Sequence, residues 1–230
     1  MPKSEIIKGL ATGAISLDSA LMRLLVIASD IDNSEISLWA ERELNGYESN
    51  VLLPKYRLSY SNIFTYTGID GLFQVKNSPL PLQNILTQEE LNKWAILKIY
   101  ICDGIKTVED IAKSKRNIRR DLTQASGLVE ERCGIRCISI TQVLPYFAYE
   151  VVVNTLKTML LKIFLELEKT YGCLDGLDID PNGVQHDIAK KTAEIIYNYI
   201  HNDYSITIGD ENKISDSRIF TGTSGYEEKD

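Results

Sequence analysis

The sequence predicts a mainly helical α+β protein, a helical bundle with short antiparallel strands after its first helix hairpin and a β-prone carboxy-terminal tail. Three observations predict it. Apolar residues recur at helical spacing through most of the chain, a Tyr- and Gly-containing stretch after Pro54 alternates instead, and the segment from Asn202 turns β-prone and then polar. With 44% hydrophobic and 25% charged residues over 230 positions, the chain can bury a full core without disulfides or a structural metal. The expected organisation is a helical domain over residues 4–201, a β insertion at about 55–76, and a tail over 202–230.

Ser16 and Ser19 open the first clear helix, where Leu17, Ala20, Leu21, Leu24, Leu25, Ala28 and Ile31 keep helical spacing. Asp32 and Glu35 read as the capping pair of the next, whose apolar face carries Ile36, Trp39, Ala40, Leu44 and Tyr47 before Asn45-Gly46 stops it. These two helices form a hairpin. After Pro54, Tyr56, Leu58 and Tyr60 alternate with polar residues, and Gly68 and Gly71 punctuate two or three short strands. Thr87 with Glu90 is a capping box, predicting a helix through Leu91 and Ile99 to a stop at Gly104. Thr107 with Asp110 repeats the device, and Val108, Ile111, Ala112, Ile118, Leu122, Ala125 and Val129 extend helical spacing to Cys133-Gly134. A short strand from Cys137 to Ile140 follows.

The most apolar stretch, Leu144 to Leu167, is long enough to span a bilayer, but Glu150, Lys157, Lys162 and Glu166 interrupt it. It reads as the central buried helix, entered at Pro145, with no membrane contact expected. A last helix carries Val184, Ile188, Ile195, Ile196 and Tyr199. No uninterrupted apolar leader opens the sequence, and Cys102, Cys133, Cys137 and Cys173 lack the pattern of a disulfide framework, so the expected compartment is the cytoplasm.

The net charge of −7 gives no general attraction for polyanions, so nucleic-acid contact needs a local basic patch. Lys113, Lys115, Arg116, Arg119 and Arg120 supply a dense one, and helical spacing puts Arg116, Arg119 and Arg120 on one exposed face, with Asp110 and Asp121 able to pair with it. Lys113, Arg116, Arg119 and Arg120 are the candidate binding residues. Asp178, Asp180 and Asn182 with Gly183 fit the first half of a calcium loop, but Ala189 stands where the bidentate glutamate belongs, so the segment reads as a turn capping the last helix. Cys133, Cys137, Cys173 and His186 lack zinc-site spacing, and neither His186 nor His201 sits in a local nucleophile motif. The residues imply no catalytic site, cofactor or metal.

Trp39-Ala-Glu-Arg-Glu-Leu-Asn-Gly-Tyr47, followed by Leu53-Pro-Lys-Tyr-Arg57, resembles the opening of the AbiTii domain family, with Ser16 to Ala28 before it. The likeness continues more loosely through Gly104 to Ala112 and the Val153 to Glu168 segment. It implies a part in a bacterial abortive-infection system, a defence against phage. Trp39, Glu43, Asn45, Tyr47, Pro54, Tyr56 and Arg57 are the matched positions, and the resemblance assigns them no duty. Their physical reading is structural: Trp39 and Tyr47 lie on a buried stripe, and Pro54 restricts the entry to the first strand. Arg57, beside a Glu43 read as exposed, fixes the hairpin to the sheet or lines a pocket.

Two function classes follow. The favoured one is a non-enzymatic binding and oligomerising module, a sensor or adaptor that works as a homo-oligomer or with a companion defence protein. The other is a toxin enzyme acting on nucleic acid or nucleotide, with the face at 113–120 as its phosphate grip. The paired substitution Arg116→Glu with Arg119→Glu should shift the melting temperature by only a few degrees, because exposed charges are each worth at most about 1 kcal/mol. Any retention on immobilised RNA or DNA should be lost in the same pair; retention equal to the parent protein's would eliminate the basic cluster as a nucleic-acid contact.

Overall fold

Three apolar residues, Ile6, Ile7 and Leu10, drive the burial of α1 (Glu5–Thr12), a helix that the sequence reading left unassigned. The computed structural model describes residues 3–49, 51–93, 96–176 and 186–201. Helix α2 (Leu17–Asp30) buries Leu17, Ala20, Leu21, Leu24, Ile27 and Ala28, and packs against α3 (Ser34–Asn45) as the predicted hairpin. The cap of α3 is Asn33, whose Oδ1 accepts from the Ile36 amide at 3.0 Å. Asp32, the predicted cap, instead takes a positive φ of 50° in the connecting turn.

A 3-10 turn at Lys55–Arg57 leads into β1 (Leu58–Tyr60), β2 (Phe64–Asp70) and β3 (Phe73–Pro79). Short helices α4 (Leu82–Ile85) and α5 (Gln88–Lys93) follow. The capping box predicted for α5 is present: the Thr87 amide donates to Glu90 Oε2 at 2.8 Å, and the Glu90 amide donates back to Thr87 Oγ1 at 3.3 Å. That helix does not run on to Gly104, because Lys98–Tyr100 forms β4 and pairs antiparallel with β1. Gly104 is the amino-terminal cap of α6 (Ile105–Ser114), so Thr107 lies inside the helix rather than capping it.

The helix expected to run from Val108 to Cys133 is three elements. Lys115 ends α6 in the left-handed region at φ 51°, β5 (Ile118–Asp121) follows, and α7 (Ser126–Cys133) comes after a 3-10 turn. Strand β6 (Arg136–Leu144) is longer than predicted and sits between β2 and β5, giving the antiparallel order β3-β2-β6-β5. The strands therefore extend beyond the insertion at 55–76, and the four-stranded sheet pairs β2 with β6, more than 65 positions later in the chain. Helix α8 (Tyr146–Tyr171) is the predicted central helix, burying Val152, Leu156, Met159, Leu160, Ile163, Phe164 and Leu167. No helix among the described residues is long and apolar enough to cross a membrane. Helix α9 (His186–His201) packs on α8. The Asp178 loop and the tail over 202–230 lie outside the described residues.

Two apolar cores form among the described residues. One is formed by α1, α2, α3, α6, α8 and α9; the other lies under the sheet, where Phe64, Tyr66 and Ile140 meet Leu82, Leu122 and Val129. Gln142, fully buried, donates from Nε2 to the carbonyls of Ser61 and Ile96, tying β6 to the segments flanking β1 and β4.

Far from the sheet, Glu168 near the end of α8 holds the start of α1. It accepts from the Ser4 amide at 2.6 Å, Ser4 Oγ at 2.5 Å and Lys3 Nζ at 2.7 Å. The Lys3 and Ser4 hydrogen bonds hold its carboxyl down at about 2. A carboxyl with a depressed folded pKa contributes stability that is complete above its ordinary value and lost as pH falls toward the folded one. Melting of the parent protein should therefore fall more steeply between about pH 5 and pH 2.5 than melting of Glu168→Gln, which should already be less stable at neutral pH. Parallel melting curves for the two proteins across that range would show that the Glu168 clasp contributes nothing.

Candidate functional site

The segment from Trp39 to Arg57 contributes side chains from α3 and the 3-10 turn to one buried polar cluster. At its centre Glu43 and Arg57 are both fully buried and form an ion pair, with Arg57 Nη2 2.6 Å from Glu43 Oε2. Arg57 Nε donates to both carboxylate oxygens at 3.2 Å. The hydroxyls of Tyr47 and Tyr56 each donate to Glu43 Oε1 at 2.6 Å, and Trp39 Nε1 donates to the Tyr56 hydroxyl at 3.1 Å. Glu43 is therefore not the exposed residue expected from the helix pattern. A carboxylate inside the bundle is stable there because five hydrogen bonds replace its water.

The same guanidinium reaches across the fold. Arg57 Nη1 donates to the carbonyls of Ile101 at 2.9 Å and Asp103 at 2.7 Å, and the Ile101 amide donates back to the Arg57 carbonyl. The guanidinium also lies 5.0 Å from the centre of the Tyr47 ring. Backbone contact between the two segments is close enough to require glycine twice. Gly46, at φ 97°, leaves only 2.7 Å between a notional Cβ and the Cys102 carbonyl, and a side chain on Gly104 would overlap the Leu44 carbonyl. Burial, and then the Glu43 charge, push the Tyr47 and Tyr56 hydroxyls well above their ordinary range. For Arg57, burial acts downward, and the Glu43 charge with its hydrogen bonds outweighs it, so its pKa rises. Tyr47 and Tyr56 thus stay protonated, and Arg57 stays charged, across the physiological range.

This cluster forms one side of a cavity of about 430 Å³. Trp39, Tyr47, Pro54 and Tyr56 line it, so four of the matched positions border open space. Tyr197 and His201, with ring centres 4.2 Å apart on α9, also line it. Leu38 and the almost fully exposed Leu52 add apolar surface, and Arg42, Lys55 and Glu35 are the charged lining groups among the described residues. Asn45 is exposed at the end of α3, outside this lining. Sequence periodicity gives no sign of the α9 residues, since the packing of α9 on α8 and α3 is what brings Tyr197 to the cavity.

The other candidate residues are elsewhere. Lys113 closes α6, where its ammonium lies 3.5 Å from Glu109, Arg116 is exposed in the turn, and Arg119 and Arg120 are neighbours on β5. Successive strand residues point to opposite sides, so Arg119 and Arg120 do not share the face that a helix would have given them. Asp121 accepts from the Thr123 amide at 2.8 Å, capping a turn.

An α+β protein with a buried ion-pair hub beside an aromatic cavity is the class that fold and site define. The family profile described as AbiTii matches residues 4–194, and the chain belongs to the AbiTii family. It is thereby an abortive-infection protein of phage defence. A search of curated proteins and one of solved structures found no match to the chain.

Removing Arg57 alone leaves the Glu43 charge buried without its partner. Arg57→Met should therefore cost about 3 kcal/mol or more and lower the melting temperature by roughly 10 °C. Adding Glu43→Gln should recover part of that loss. A single variant melting within about 2 °C of the parent would show that the pair is not the hub of this region.

Proposed function

We propose that this protein serves phage defence as a non-enzymatic binding module, a sensor or adaptor that takes its trigger or companion at the cavity beside the Glu43–Arg57 hub. The observation that carries the reading is how the matched polar groups are used. The Tyr47, Tyr56, Glu43 and Arg57 side chains are hydrogen-bonded to one another and to backbone carbonyls, an arrangement suited to holding a surface in shape. A general base or nucleophile must instead reach a reacting atom. The exposed surface around the cavity is supplied instead by Leu38, Leu52 and Tyr197, and a concave, largely apolar lining of this kind suits binding. Assembly with further copies or with a companion defence protein belongs to the same proposal, as the step that passes binding on.

Plaque counts in a phage-sensitive host carrying the complete defence locus test it. Leu52→Glu with Tyr197→Ala changes two exposed wall residues outside the hub, 94% and 44% exposed, and should leave the protein level and melting temperature near those of the parent. Protection should fall to the level of the empty vector. Full protection by this variant at equal protein level would overturn the assignment of the cavity.

A further inference from the structure

His201, where the described residues end, lines the cavity itself. Tyr197 and Ile200 belong to the same lining, so the end of α9 delivers the chain to this site, and the sequence continues from there to Asp230. Only Asn202 and Asp203 separate His201 from Tyr204, Ile206 and Ile208, an alternating row whose side chains share one side of an extended chain. Each residue of an extended chain spans at most about 3.6 Å, so Tyr204 lies within about 11 Å of His201 whatever path the backbone takes. The row begins within reach of the cavity.

A surface that fits the row is present. Leu38, Leu52 and Tyr197 are exposed lining residues, and Leu52 lies almost entirely in solvent. Apolar groups gathered at a concave surface mark a place where something docks. Charge agrees with the tail as that occupant: Asp203 precedes the apolar row, Asp210 and Glu211 follow it, and the lining includes Arg42 from the last turn of α3. A segment tethered so close to its site acts at an effective concentration of about millimolar, so a few apolar contacts suffice and the same segment of another copy is at a disadvantage.

We propose that the segment from Tyr204 to Ile208 docks in this cavity within its own chain, with Ile206 and Ile208 against Leu38, Leu52 and Tyr197. On the reading of the cavity as the binding site, the tail is its resting occupant. A trigger or companion binds by displacing it, and its apparent affinity is reduced in proportion to the fraction of chains whose site is open.

Photocrosslinking of the full chain with benzoylphenylalanine in place of Tyr204 tests the contact. Mass spectrometry should find adducts on the peptides that carry Leu38 or Leu52, and the crosslinked product should have the mass of one chain. Ile206→Asp with Ile208→Asp should cut the yield at least about tenfold with unchanged circular dichroism. A synthetic peptide of residues 203–209 should bind that aspartate variant at least about tenfold more tightly than it binds the parent, whose site is covered. Adducts confined to other parts of the fold, adducts that join two chains, or equal affinity of the peptide for both proteins overturns the proposal. If the adducts fail while Leu52→Glu with Tyr197→Ala still loses plaque protection, the cavity stands as a binding site and the tail alone is refuted. If they form while that pair protects fully, the tail docks there and the role of the cavity in defence is refuted.

Discussion

The Glu43–Arg57 pair is the constraint on which the neighbouring structure rests. Arg57 fastens α3 through Glu43, and it fastens the segment before α6 through the carbonyls of Ile101 and Asp103. Its own carbonyl takes the Ile101 amide, so both its ends fix the same loop. Burying two ions costs several kcal/mol each before their attraction is counted, and a well-packed apolar pair of similar volume can be as stable. What the ionic version adds is direction. A guanidinium with donors aimed at a carboxylate and two carbonyls accepts one arrangement of three chain segments, where apolar side chains tolerate several.

That arrangement explains why the matched string mixes residue types that periodicity treats separately. Trp39, Glu43 and Tyr47 lie four residues apart, so α3 and its exit bring them along one line, and Tyr56 and Arg57 meet that line from the 3-10 turn. Pro54 precedes that turn, and its carbonyl accepts the Arg57 amide at 2.9 Å. Gly46 and Gly104 admit the close backbone approach that lets the Arg57 guanidinium reach the carbonyls of Ile101 and Asp103. The string is therefore the local specification of one joint, and the cavity is the space left on its outer side.

The long elements were legible because their burial is periodic: α2, α3 and α8 bury the residues whose spacing announced them. The segment from Val108 to Cys133 misled for a physical reason. Ile118, Leu122, Ala125 and Val129 sit three or four apart, which suits a helix, but Lys115 in the left-handed region breaks it, and Ile118 and Leu122 are drawn inward by pairing with β6. Strand pairing between β2 and β6 joins residues more than 65 positions apart, and no local pattern encodes it. Glu43 was misplaced by a related limit. A lone acid on a helix reads as solvent-facing until its partner is known, and Arg57 lies on another element. Of the site, the floor could be read from the motif, and the α9 wall could not.

Strand β6 enters both apolar cores, with Ile140 in the core beneath the sheet and Leu144 in the helical one, while Gln142 between them is bonded to two other segments. A strand shared in this way cannot come loose from one core without disturbing the other, so it acts as the hinge pin of cooperative unfolding. Its amides should exchange with deuterated solvent only in the rare event that opens the whole molecule. Strand β3, at the edge with Phe73 largely exposed and Asn77 bent out of the extended region, pairs on one side only, so its amides should exchange sooner. A displacement of β6 would therefore engage both cores at once.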